Sequence, residues 1–178
     1  SLAGSGNMSV SRLRNPLDMH DEDWARFTTA METMNGRDIW IVDATDLTIE
    51  QIRAVAETHK RRYPHLAMIV VDYLGLIKKP KAERNDLAIA HISRNLKTMA
   101  MRLHTPTFAL SQLSRAVDSR PAGQRRPVMS DLRDSGSIEQ DADSIMFLYR
   151  DEVYNPESPA AGIAEIILGK SRFSAAGA

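Results

Sequence analysis

Cysteine is missing altogether, which excludes a disulfide framework, a thiol nucleophile and a Cys-ligated zinc site together. The five histidines (His20, His59, His65, His91 and His104) are scattered, with no pair at i, i+3 or i, i+4, so a metal held by protein nitrogen is not expected. Neither sign of charge is in excess: 23 basic side chains balance 23 acidic ones, and overall charge points to no class of partner, although local clusters still can. No apolar run approaches the roughly 18 residues needed to cross a bilayer, and the N-terminus has neither a basic start nor a continuous apolar stretch. A soluble, cytoplasmic chain with no membrane partner is expected. At 178 residues and 43% hydrophobic, it is long enough for one sizeable core and reads as one domain over 1–178. Residues 1–20 read as a loop or the trailing end of a longer segment, and 173–178 as a tail.

Periodicity supplies the elements. Trp24, Phe27, Met31 and Met34 recur at helical spacing after the acidic start Asp21, Glu22 and Asp23, so a helix is expected, with Trp24 and the methionines packed in the core. The run Ile39–Val42, closed by Asp43, predicts a strand. Thr48 and Gln51 have the spacing of a capping box before a stripe of Ile49, Ile52, Val55 and Ala56. A second strand is predicted over 67–72. A helix over 86–103 with Ile89, Ile92, Leu96, Met99 and Leu103 on one face follows, then a third strand over 107–111. Apolar strands alternating with amphipathic helices predict an α/β fold with a mostly parallel sheet and helices on both faces. Strands over 145–149 and 163–168 predict a C-terminal hairpin with a long tip.

In such sheets ligands gather at the carboxyl ends of strands, which here carry Asp43, Asp72, Ser111 and Gln112. Next comes a tract of about thirty residues with little periodicity, longer than an ordinary ordered loop. It carries Arg115, Arg120, Arg125, Arg126 and Arg133, and the capping-box spacing Ser137 to Gln140 predicts a short helix. Two readings stand. An acid closing a buried strand, a Ser-Gln pair closing the next and a basic tract suit a phosphate-handling site, with Mg²⁺ held through water. Alternatively, Asp72 merely caps a turn and the tract is a solvated loop. No serine sits in a Gly-x-Ser-x-Gly elbow, which disfavours a nucleophilic triad.

The segments "VVDYLGLI", "ALSQLSRAVDSR", "RPVMSDLRDSGSIEQDADSIMFLYRDEVY" and "GIAEIILGKSR", with "HDEDWARF" upstream, closely resemble the C-terminal ATPase domain of the DnaB-type replicative DNA helicases. The resemblance implies a RecA-type P-loop NTPase core and a homo-hexameric, ATP-driven, Mg²⁺-dependent motor on single-stranded DNA, with helicase loader and primase as further partners. Asp72 resembles the Walker B aspartate that helps hold Mg²⁺, and Gln112 the glutamine that couples the γ-phosphate to the DNA loops. Arg133, Asp134 and Gly136 are similar to the loop that grips the single-strand backbone. Lys170 and Arg172 resemble the pair that reaches the neighbouring subunit's nucleotide, with Arg172 as an arginine finger. For Arg172 the plainer reading is a surface charge, and for Arg133 a pairing with Asp131 or Asp134. Lys78, Lys79 and Lys81 read equally as part of a DNA channel or as a solvated turn.

No Gly-x-x-x-x-Gly-Lys-Ser/Thr occurs in these residues. In the family this phosphate loop lies upstream, so the core is expected to be incomplete. An interior gap is expected between the strand leading to Gln112 and the strand over 145–149. The chain alone is expected neither to bind ATP tightly nor to hydrolyse it. The alternative is a non-catalytic product that keeps DNA-binding and subunit-contact surfaces. Two departures from the family's pattern stand out: "FSAAGA" after Arg172 where Asn-Gly-Pro is usual, and Gly75 where a glutamine is usual.

Overall fold

The computed structural model describes residues 8–79, 84–121, 123–132 and 135–173. The contacts gather into two compact units, Ser1–Asp43 and Ala44–Ala178.

In the first unit, α1 (Val10–Arg14) is capped by Ser9, whose hydroxyl accepts the Ser11 N–H. Helix α2 (Asp21–Asn35) has three acids in its first turn. Asp23 accepts the His20 N–H at 3.2 Å and Arg12 Nη1 at 2.9 Å. The His20 N–H and the Arg12 guanidinium hold this carboxyl below the usual range. Ala30 is buried, but Trp24 is 46% exposed and rests edge-on against Phe27 of its own helix, which corrects the expectation that Trp24 packs in the core. The strand expected over 39–42 does not form either. Ile39, Trp40, Ile41 and Val42 are all exposed on irregular backbone, because the described part of this unit holds no strand to pair with them.

The second unit builds the α/β layer. Helix α3 (Ile49–Arg62) starts at the predicted capping box: the Thr48 N–H donates to Gln51 Oε1 at 2.8 Å, and the Gln51 N–H to Thr48 Oγ1 at 3.4 Å. Strand β1 (Ile69–Val71), helix α4 (Asn85–Leu103) and strand β2 (Thr107–Ala109) form a crossover. The strands are parallel, with Ile69 opposite Thr107 and Val71 opposite Ala109. Helix α4 stops where His104 turns left-handed (φ 47°) and the Thr105 N–H bonds back to the Ala100 carbonyl. Ile69 and Val71 pack under Ile49, Ile92, Leu96 and Met99 of the two helices. Their neighbours of opposite parity, Met68, Val70, Phe108 and Leu110, remain 45–55% exposed. Helices therefore cover one face of this pair among the described residues.

Helix α5 (Ser135–Asp141) begins two residues before the predicted Ser137 cap, so Ser137 lies inside it. Strands β3 (Ser144–Tyr149) and β4 (Glu165–Ser171) form the antiparallel hairpin, the second starting and ending later than predicted. Ile145, Phe147 and Tyr149 point inward; Met146, Leu148, Ile166 and Leu168 point out. The two strand pairs are separate: β1–β2 and β3–β4 share no ladder among the described residues. The division between β2 and β3 falls where the interior gap is expected.

Candidate functional site

Asp72 follows directly on β1, and Gln112 lies three residues past β2. Main-chain bonds bring the two strand ends level: the Leu110 N–H donates to the Val71 carbonyl at 3.0 Å and the Leu74 N–H to the Leu110 carbonyl at 2.9 Å. Both polar residues are exposed at the same carboxyl edge. Beside them lies an open recess of about 290 Å³ lined by Tyr73, Leu110, Ser111 and Gln112. Leu74 and Ile77 anchor the turn after Asp72 in the core, so the carboxylate is presented from a fixed strand end. Asp43 is not a strand terminus, since residues 39–42 form no strand.

Lys170 on β4 and Arg172, the residue just past it, belong to the other strand pair and face α5. The ladder slips between Ile145 and Met146: Leu168 pairs with Met146, yet Lys170 pairs with Ile145, leaving Gly169 as the extra residue. By ordinary alternation Lys170 would share the outer face of Leu168. The bulge turns it to the inner side instead. Glycine suits this position, since a Cβ would collide with the Phe147 ring unless the ring moved, and would lie 3.1 Å from Met129 Sδ. Lys170 Nζ then donates to the carbonyls of Glu139 and, at 2.8 Å, Ala142. Arg172 donates to the Gln140 carbonyl at 2.8 Å and to Asp143 Oδ1 at 3.2 Å. Two cations thus meet the unpaired carbonyls ending a helix, where the helix dipole favours positive charge. Asp143 also accepts Lys97 Nζ at 2.5 Å. That bond, with the nearby Arg172 and Lys170 charges, holds its carboxyl below the usual range.

Gly136 lies in the exposed first turn of α5, and a Cβ there would meet nothing within 4 Å. Arg133 and Asp134 lie outside the described residues. The alternative partner suggested for Arg133, Asp131, is engaged by Arg120: the two side chains form a paired contact, with Nη1 to Oδ2 at 3.0 Å, and the Val128 N–H adds 2.8 Å to the same Oδ2. Lys79 bonds Asn85, and Lys81 is outside the described residues.

Residues 1–178 match the family described as DnaB-like helicase C terminal domain. The chain belongs to that family. It is 45% identical over 173 residues to the replicative DNA helicase DnaB of Buchnera aphidicola, covering 96% of this chain and 37% of that protein. Against the DnaB of Geobacillus stearothermophilus the identity is 43% over 173 residues, with the same coverage of 96% and 37%. The chain thus spans about 37% of the length of the curated relatives it matches. Among solved structures it resembles an ATPase domain, with a TM-score of 0.87, 36% identity, 98% of this chain and 62% of that one. It also resembles a DnaB-like replicative helicase solved in a study of its interactions with primase, with a TM-score of 0.88, 36% identity, 97% of this chain and 41% of that one.

Within this DnaB-like domain, the structure brings Asp72 and Gln112 to one edge and Lys170 and Arg172 to one helix end, but places the two groups on different strand pairs. Among the described residues no three carboxylate or histidine side chains converge on a metal position. One exposed carboxylate nevertheless fits Mg²⁺, which keeps several waters and takes one or two protein oxygens beside nucleotide phosphates. Asp143 and Lys97, which hold the Arg172 end of β4, did not stand out in the sequence. Asp143 lies in "EQDADS" without any spacing that links it to Lys97, 46 residues away.

Proposed function

We propose that this chain is part of the motor of a hexameric replicative DNA helicase, coupling ATP hydrolysis at subunit interfaces to movement on single-stranded DNA and duplex unwinding. What carries the reading is Asp72 and Gln112 closing adjacent parallel strands, held level by the Val71–Leu110–Leu74 bonds, in a chain of the DnaB-like family. Asp72 would hold Mg²⁺ through water. Bound Mg²⁺–ATP supplies the transferable phosphoryl group. Gln112, a neutral amide at the recess, senses the γ-phosphate without adding charge. Arg172, from the adjoining protomer, stabilises charge on the transferring group, a contribution that can reach roughly 10³ to 10⁵ in rate.

The DNA side of this reading rests on Arg133, Asp134 and Gly136. Gripping by charge and main-chain N–H groups reads the backbone and not the bases, as movement along any sequence requires. The fold imposes no packing demand for glycine at position 136, and close approach of a phosphate supplies one. Primase is a proposed partner because one of the similar structures was solved with that interaction in view; a helicase loader follows from the same family reading. Among the described residues no helix is long and apolar enough to cross a membrane; a cytoplasmic role follows from the family reading.

The 178 residues alone should bind ATP weakly and not turn it over, for want of the N–H cradle and lysine of a phosphate loop. ATPase assays of this chain beside a form extended upstream through that loop test the reading. Turnover is expected only in the longer form and should be lost in its Asp72→Asn variant. Turnover by the short chain, or an unaffected Asp72→Asn variant, would overturn the assignment.

A further inference from the structure

The ends of α5 carry two different parts of the proposed machinery. Its N-terminal end follows Arg133 and Asp134 in sequence and includes Gly136, while its C-terminal end is gripped by Lys170 and Arg172. Two turns of helix separate them. What fixes the second grip is Asp143, the second residue past α5. Its main-chain carbonyl accepts the Arg172 N–H at 2.8 Å, its carboxylate accepts the Arg172 guanidinium at 3.2 Å, and its other oxygen accepts Lys97 at 2.5 Å. Lys97 projects from α4, whose Ile92, Leu96 and Met99 are core residues. Asp143 therefore fastens the end of β4 to the most deeply packed helix of the unit.

We propose that Asp143 is a positioning residue for Arg172: braced by Lys97, it holds the guanidinium against the C-terminal end of α5. This rests on the motor reading above and deepens it. With this fastening, a displacement of the DNA-facing end of α5 is passed to the pair that serves the neighbouring nucleotide. Without it, Arg172 keeps only the Gln140 carbonyl and its main chain, and a long side chain on a strand end spreads over several rotamers. Misplacing a transition-state group by about 1 Å costs on the order of 10²-fold in rate while leaving ground-state binding largely intact.

The test uses the full-length, assembled helicase that contains this chain, with single-stranded DNA and ATP. Asp143→Asn should lower the DNA-stimulated kcat by roughly 10²-fold with little change in KM for ATP. Asp143→Glu, which keeps the charge, should recover much of the loss. Arg172→Ala should fall further, and the double variant D143N/R172A should be no slower than R172A alone, because Asp143 acts through Arg172. Should D143N fail to assemble, Lys97→Gln, which removes only the brace, carries the same comparison: a lower kcat that vanishes as a separate effect in the R172A background. Losses that multiply in either double variant, or an unchanged kcat in both single variants, would overturn the positioning role. If R172A itself turns over normally, the fault lies with the motor reading of Arg172; if R172A is slow but D143N and K97Q are not, only the present inference fails.

Discussion

Arg120 and Asp131 close the tract between β2 and α5 with a two-pronged ion pair, in which the Asp131 side chain is 3% exposed and the Arg120 side chain 27% exposed. The Val128 N–H and the pairing of Ser114 N–H with the Asp131 carbonyl complete the closure. A tract with little apolar periodicity is thus folded back on itself around one buried acid. Arg120→Ala leaves that acid without its cation, so a loss of about 3 kcal/mol is expected. Urea denaturation of the variant beside the parent checks it, and a change below about 0.5 kcal/mol would remove the pair from the account of this region.

Gly169 is the residue on which the direction of Lys170 depends. Gly169→Ala must displace the Phe147 ring or straighten the bulge, and a cost of about 1–3 kcal/mol is expected. Straightening would return Lys170 to the outer face. A crystal structure of the variant should therefore show either a shifted Phe147 or a Lys170 parted from the Glu139 and Ala142 carbonyls.

At Gly136 the expected signs oppose each other. Alanine replaces a flexible residue in an exposed helical turn where its Cβ meets nothing, so Gly136→Ala should stabilise the chain by a few tenths to about 1 kcal/mol. In the assembled ring the same methyl group should weaken single-strand binding several-fold. Thermal melting and salt-dependent strand binding, measured on the same variant, separate the two effects; strand binding that strengthens or stays unchanged would take Gly136 out of the DNA contact.

Asp143 gives a pH dependence with a defined direction. Lys97, aided by Arg172 and Lys170, holds its carboxyl below the ordinary value, so the folded chain favours the ionised form more than the unfolded chain does. The resulting stabilisation is in place above the ordinary carboxylate pKa of about 3.9 and is lost as pH falls through the lowered value. Asp143→Asn should be less stable than the parent at about pH 7, with the difference closing below about pH 4. A difference that persists unchanged at about pH 3 would assign it to packing instead of charge.

What was legible in the sequence is what depends on near neighbours. Thr48 and Gln51 announce the start of α3 because the capping box is closed within four residues, and Asp72 is visible because it interrupts an apolar run. The segment 39–42 has the same local character as β1, yet no strand forms there, since a strand needs a partner that its own residues do not specify. Trp24 has helical spacing but stays 46% exposed, resting edge-on against Phe27 of its own helix. The Lys97–Asp143–Arg172 arrangement was illegible for a related reason: it exists only once α4, the end of α5 and the bulged strand meet, and the bulge at Gly169 defeats the alternation by which Lys170 would be placed.

The most direct measurement is a structure of the full-length ring with a non-hydrolysable ATP analogue and Mg²⁺. The Asp72 carboxylate should lie one water away from the metal, with Gln112 turned to the γ-phosphate and Arg172 of the adjoining protomer within about 3 Å of a phosphate oxygen. A nucleotide bound elsewhere, with Asp72 and Arg172 both remote from it, would contradict the motor reading.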